Sequence, residues 1–328
     1  MSVWHDRLSL GFNYYKSYVN NMLAYKTLGG VSGLRNYWSN EGKMENQGFD
    51  VAAVAKVMAL KDFSWEISAS VGHYKNEVTA LPDNDKTIYT SVYGGEVMTK
   101  VGNPIGLFYG YKTQGVFATS EEAAKTDLRN GSENGSAFRA GDVHFSDLVA
   151  DGVIDNKDKD VIGNPNPDVF GNFGTSLHYK NWTLDAFFSY SLGNDIYNYQ
   201  RAVLESGNSY YNQTTAMLNR WTSEGQLTSI PRVEYGDRMG NARFSDRWIE
   251  DGSYLKLKTL SLSYRFPFNL TFLQGITVWG AANNLFTCTK YLGSDPELSI
   301  SGNPIYQGID RGLLGHGRSF VLGVKINL

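Results

Sequence analysis

Hydrophobic and polar positions alternate strictly along segment after segment of this chain, and the clearest case is its end. Phe320, Leu322, Val324, Ile326 and Leu328 fall on one face, with Gly323, Lys325 and Asn327 between them. Period two over that length predicts a strand with one apolar face. Leu8, Leu10, Phe12 and Tyr14 repeat the pattern, as do Phe63, Trp65, Ile67, Ala69 and Val71 in a strand that should close at Lys75-Asn76. The segments 173–179 and 182–190 read as a tight hairpin across Lys180-Asn181. Between Ser253 and Phe266 the alternation skips register near Lys258-Thr259, which predicts a bulge. Ile276 to Ala282 supplies a further strand, and weaker patterns at 20–27, 47–60, 93–99 and 105–113 bring the expectation to about ten.

An apolar sheet face is either the core of a soluble sandwich or the lipid-facing surface of a barrel. The connections favour the barrel. Residues 118–165 and 194–245 are polar and far longer than the usual loop of about five residues, whereas other turns are short. Short turns at one end and long loops at the other is the asymmetry of outer-membrane barrels. Within the long loops, Ser120 to Lys125 reads as a short capped helix, and Asn198 to Trp221 has room for another.

Composition narrows the function. In 328 residues no run approaches the ~20 apolar residues of a helical span. The mean hydropathy of -0.34 is compatible with strands that are polar on one side. The 21 tyrosines suit a membrane interface. A net charge of -3 without a basic stripe excludes nucleic acid as a partner. The single Cys288 permits no internal disulfide. Because the start, from Met1 to Arg7, lacks the charged and apolar regions of an export signal, we expect that signal and an upstream portion to lie outside this chain.

One segment has ligand-like spacing. Asp147, Asp151, Gly152, Asp155 and Asp158 fit positions 1, 5, 6, 9 and 12 of a calcium loop, with the Val153 carbonyl at 7. Val149 at position 3 offers no side-chain oxygen, and the alternative is an acidic turn held by Asx hydrogen bonds. Otherwise no cofactor is required. Tyr197, Tyr199, Tyr210, Tyr211 and Trp221 are candidates for a stacking surface for sugars or peptides, against the alternative of loop tips packing on themselves. Metalloprotease, nucleophile-elbow and P-loop patterns are absent, and His5, His73, His144, His178 and His316 are scattered singly. Catalysis therefore has no positive support, and we read the chain as a non-enzyme.

Several blocks in order resemble one family. They are MENQGFDVAA at 44–53, FSWEISASVGHYKNEV at 63–78, VGNPIGLFYGYKTQGVF at 101–117, the run from GDVHFSDLVADGVIDNKD to SLGNDIYN across 141–198, RWTSEG at 220–225, SDRWIEDGSYLKLKTLSLSY at 245–264 and AANNLFTCTKYLGSDPE at 281–297. The chain is similar to the C-terminal barrel portion of SusC/RagA-type TonB-linked (TonB-dependent) outer-membrane transporters of Bacteroidetes. The resemblance implies a barrel of roughly 22 strands closed around an N-terminal plug. It also implies coupling to the TonB complex through that plug and a SusD-like surface lipoprotein over the mouth. Neither plug nor TonB box is present in residues 1–328, so about ten strands amount to half a barrel. Two departures stand out: Val149 replaces the usual Asn or Asp, and the chain ends on Leu328 rather than an aromatic residue.

The expectation is therefore an all-β, antiparallel transmembrane β-barrel portion in the outer membrane, in contact with the lipid bilayer. Its function would be uptake of glycans or peptides. The rival readings are a self-contained small barrel or surface-binding protein not coupled to TonB, and a soluble β-sandwich lectin.

Overall fold

A computed structural model describes residues 2–3, 7–27, 33, 36–82, 86–267 and 275–327. His5 and Leu328 lie outside the described residues, so the expectations placed on them are not addressed. Nine strands form one antiparallel sheet in near-sequential order: β1 (Ser2–Val3), β2 (Leu8–Thr27), β3 (Asn36–Ala59), β4 (Phe63–Ala80), β5 (Val169–Tyr179), β6 (Trp182–Leu192), β7 (Tyr254–Phe266), β8 (Gly275–Thr289) and β9 (Ser319–Asn327). The hairpin at Lys180-Asn181 forms, with Lys180 in the left-handed region that a tight turn needs. The bulge forms as well, as a register shift between Leu257 and Thr259.

Pairing aligns the apolar faces into continuous rows. Trp65, Leu177, Leu184, Leu262, Gly280 and Leu322 lie opposite one another across six strands. The adjacent row on the other face is Glu66, Ser176, Asp185, Ser261, Ala281 and Val321, with Ser176 donating to Asp185 at 2.6 Å. The apolar face is bare: Leu322 is 88% exposed, and Phe320, Val324 and Ile326 are also exposed. Such a face would be driven together in water and is satisfied in hydrocarbon, which identifies it as the lipid side. Phe63 to Val71 covers it in nine residues, the span of a tilted membrane strand. Tyr179, Trp182 and Tyr264 sit side by side at the short-turn end, where amphipathic rings meet the headgroups.

Three sequence expectations are corrected. The 20–27 pattern continues β2 rather than forming a separate strand, and β4 runs past Lys75 to Ala80, where the band-facing positions become Lys75 and Glu77. The 93–99 and 105–113 strands belong to a separate four-stranded sheet built from Thr87–Val92, Gly95–Lys100, Leu107–Tyr111 and Lys159–Gly163. The connections between the membrane strands, at 81–168, 193–253 and 290–318, also hold most of the buried apolar core. Phe117, Phe138, Val143, Phe145 and Ile154 form one cluster, and Val97, Phe108, Tyr197, Trp248 and Ile309 form another. The sheet cannot supply such a core, because its apolar side faces lipid.

The helices appear where expected. α1 (Ser120–Thr126) is capped by the Thr119 hydroxyl accepting from the Glu122 N–H, and α2 (Tyr199–Leu204) by the Asn198 side chain accepting from the Arg201 N–H. The sheet is open. Among the described residues, β9 pairs only with β8, and β2 beyond Ser9 pairs only with β3.

Candidate functional site

The loop-end structure gathers three of the five candidate aromatics into one cleft. Tyr197, Tyr199 and Tyr211, with Tyr93, Phe244 and Trp248, line a cavity of about 260 Å³. α2 places Tyr199 beside Ala202 and Val203 on the same wall, and the turn joining Thr87–Val92 to Gly95–Lys100 presents Tyr93, held at φ +46°. The two rings lie 5.4 Å apart at 51°, leaving a half-open aromatic notch. Tyr197 is the floor: it is buried, its hydroxyl donates to the Tyr93 carbonyl at 2.9 Å, and burial pushes its phenol up. Trp248 lies beneath, fully buried, with the Arg201 and Arg247 guanidiniums on its ring at 5.6 and 4.7 Å.

Those cations face away from the cleft and are held in place. Arg201 donates to Glu250 at 2.6 Å and to Glu205 at 3.0 Å; burial pulls its guanidinium down, but the two carboxylates outweigh that and raise it. Arg247 is pulled down to about 10 by burial, with Arg201 adding to the effect. The described residues that line the cleft are uncharged, with the Arg311 guanidinium 5.1 Å from the Tyr93 ring, and the lining suits an uncharged ring or apolar side chain with hydroxyl or amide contacts from Ser206 and Asn208.

Tyr210 and Trp221 lie elsewhere. Tyr210 is 90% exposed and stacks on Tyr235 at 4.8 Å, whereas Trp221 packs on Gly141 and donates its indole N–H to the Ala118 carbonyl. Tyr93, Phe244, Trp248 and Asn208 were not singled out from the sequence. Only the fold brings them to α2, and the one local signal was the Tyr93-Gly94 turn.

The acidic segment closes through its own backbone. Asp147 accepts from the N–H groups of Ala150, Asp151 and Gly152, Asp151 from Val153, and Asp155 from Lys157. Asp158, fully buried, accepts from Leu148 and Val149 with one oxygen and from Asp155 with the other. The Lys157 ammonium lies 3.3 Å from Asp151 and 3.6 Å from Asp155. Val153 is the start of a short strand paired with Arg129. Among the described residues, three potential metal-ligating side chains converge only at Asp295, Glu297 and His316, and there the Lys256 ammonium already bonds both carboxylates.

No family model matches the chain. Along 99% of its length it is 30% identical to TonB-dependent receptor P3 of Formosa agariphila, and along 88% it is 27% identical to TonB-dependent receptor SusC of Bacteroides thetaiotaomicron. It covers 33% and 27% of those two proteins, so it spans about a third of the curated relatives it matches. Its backbone superposes on a solved structure of the RagAB peptide transporter with a TM-score of 0.79 at 23% identity, covering 99% of this chain and 34% of that one. That likeness bears on the fold, and it agrees with the lipid-facing rows. The chain is thus a relative of the SusC/RagA-type TonB-dependent receptors of the outer membrane, matching a barrel portion that makes up about a third of one.

Proposed function

We propose that this chain forms one wall and much of the extracellular mouth of an outer-membrane importer for glycans or peptides. The observation that carries this reading is the pairing of a lipid-facing sheet with a cored loop structure holding an uncharged aromatic cleft. Ligand would dock against Tyr93, Tyr199 and Tyr211, and energy would come from the TonB complex through a plug encoded outside residues 1–328. A SusD-like lipoprotein would cover the mouth. Such a lid would sit against the exposed, stacked rings of Tyr210 and Tyr235.

The open sheet argues against a self-contained small barrel. Unpaired backbone at two edges is not tolerated in hydrocarbon, so further strands must close the wall. The test is uptake by cells of the source with the encoding gene deleted, supplied in turn with fluorescent oligosaccharides and peptides. Loss of uptake of one class, restored by the gene, supports the reading. Unchanged uptake and growth on every class tried, with the protein shown to be expressed in the parent strain, refutes it.

A further inference from the structure

Segment 290–318 meets the polar face of the sheet at the loop end of β7 and β6 and runs on along the inner side of the loop structure. It leaves β8 and reaches the inward-facing side chains of β7 and β6: Glu297 accepts from Lys256 at 2.7 Å, from Lys258 at 2.8 and 2.9 Å, from the Tyr254 hydroxyl at 3.1 Å and from Ser189 at 3.5 Å. Asp295 takes the Lys256 ammonium at 2.8 Å and both the N–H and Nδ1 of His316. Further on, Ile305 packs against the cluster of Val78, Leu81 and Ile105, and Val78 belongs to β4. Since β5 and β6 lie between β4 and β7, the segment spans the inner side of the sheet at its loop end, from β7 to the extension of β4 beyond its pairing with β5.

It is tied down at many points between Tyr291 and Asp310, while 301–304 and most of 311–318 are exposed. Leu292 donates its N–H to Glu250 and the Tyr291 hydroxyl donates to the buried Asp310 at 2.6 Å. Ile309 and Asp310 pair with Tyr197 and Asn198, and Gln307 donates to the Pro165 carbonyl. Gly106 approaches the Pro304 carbonyl so closely that a Cβ there would stand 2.8 Å from it. A ligand lid is drawn from weakly held, solvent-bonded segments, and this one is the opposite.

We infer that 290–318 is a fixed inner wall that narrows the transport route, and that Lys256 is the positioning residue that pins it. The inference rests on the import reading above, because only a chain lining a conduit has a route to narrow. Lys256 is 2% exposed, and two carboxylates of the segment converge on its single ammonium, so no other side chain of β7 holds as much of it.

The test uses the whole transporter containing this chain, expressed in its own outer membrane. Lys256→Gln removes the ammonium, and Lys256→Cys with Asp295→Cys, joined by a bis-methanethiosulfonate spacer that reduction cleaves, replaces the ion pair by a covalent tie of similar reach. The readouts are entry of a glycopeptide antibiotic too large for porins and uptake of the native nutrient, with outer-membrane levels measured alongside. A fixed wall predicts about tenfold greater antibiotic entry in Lys256→Gln. Lys256→Arg and the cross-linked pair should hold entry at the wild-type level, with nutrient uptake in the cross-linked form unchanged. If the cross-link abolishes uptake and reduction restores it, the segment is a moving gate and the inference fails. Wild-type antibiotic entry in a Lys256→Gln protein present at normal levels also overturns it. Should Lys256→Gln not reach the membrane, Glu297→Gln, which takes away the carboxylate that both Lys256 and Lys258 hold, is read by the same two criteria. Absence of nutrient uptake in every form, wild type included, would fault the import reading while antibiotic entry still judges the wall.

Discussion

Lys256 and Asp295 meet at 2.8 Å with their side chains 2% and 4% exposed, an ion pair shut away from water between a membrane strand and a loop. Removing one partner leaves the other charged and desolvated. Lys256→Met is expected to destabilise the folded protein by about 3 to 5 kcal/mol, whereas Lys258→Ala, at a more exposed position, should cost about 1 kcal/mol or less. Heat-modifiability on gels measures both. Burial pushes the Asp295 carboxyl up, but hydrogen bonds from Lys256 and His316 overcome it and hold the group at about 2. A carboxyl whose folded value lies below the ordinary 3.8 stabilises fully above that pH, and its contribution is lost as pH falls toward 2. Acid-induced loosening of 290–318 should therefore fall in that window in wild type and be reduced in Asp295→Asn, where Glu297, pushed up by burial but held low by Lys256 and Lys258, remains to titrate.

Leu262 and Ser261 are neighbours on one strand that point to opposite sides of the sheet. Leu260→Arg, on the same side as Leu262 and aligned through Ala186 and Thr175 with Ile67 at the middle of the 63–71 band, puts a charge in hydrocarbon and should cost about 2 to 4 kcal/mol. Ser261→Arg, on the polar side, should assemble at near wild-type levels. Outer-membrane yield of the two variants distinguishes a barrel wall from a soluble sandwich, in which the assignment of faces would have no such consequence.

The acidic loop makes a prediction about metal. Its carboxylates already serve backbone N–H groups and Lys157, so chelator and added calcium should leave the melting temperature unchanged. Asp158→Ala should still destabilise, by about 1 to 3 kcal/mol, because it strands three buried or half-buried N–H donors. A calcium-dependent rise in melting temperature that Asp158→Ala removes would assign the loop to metal instead.

The aromatic cleft predicts a split among tyrosines that look alike in sequence. Tyr199→Ala and Tyr93→Ala should weaken ligand capture by about tenfold at unchanged protein level, in line with the loss of a contact residue at a binding hot spot. Tyr210→Ala should leave capture by the isolated transporter unchanged, since Tyr210 stacks on Tyr235 outside the cleft. Equilibrium binding of a labelled substrate measures both.

The membrane strands were legible because their alternation is strict: the row through Phe173 and Phe188 follows directly from it, as does the hairpin at Lys180. The loop core was not. Phe108, Phe117, Phe145 and Trp248 are separated by polar, glycine-rich stretches, so no periodicity marks them, and strands as short as Val143–Phe145 carry too few residues to show one. Reading 105–113 as barrel wall followed from the same limit, because the short run that forms the strand, Leu107–Tyr111, fits a loop sheet equally well. Tyr197, Tyr199 and Tyr211 could be named from composition, but their partner Tyr93 is over a hundred positions away, and only folding brings it to them. The bridging role of 290–318 had no sequence signal either, since Asp295 and Glu297 acquire it by meeting Lys256.

The central claim is that this chain works as a barrel portion within a larger outer-membrane importer. The most direct measurement is an immunoblot of fractionated source cells, using antibody against the exposed 208–235 loop. A single band in the outer-membrane fraction near three times the 36.5 kDa of this chain is the predicted result, because the chain matches about a third of its relatives. A band at 36.5 kDa in the soluble fraction would contradict the account.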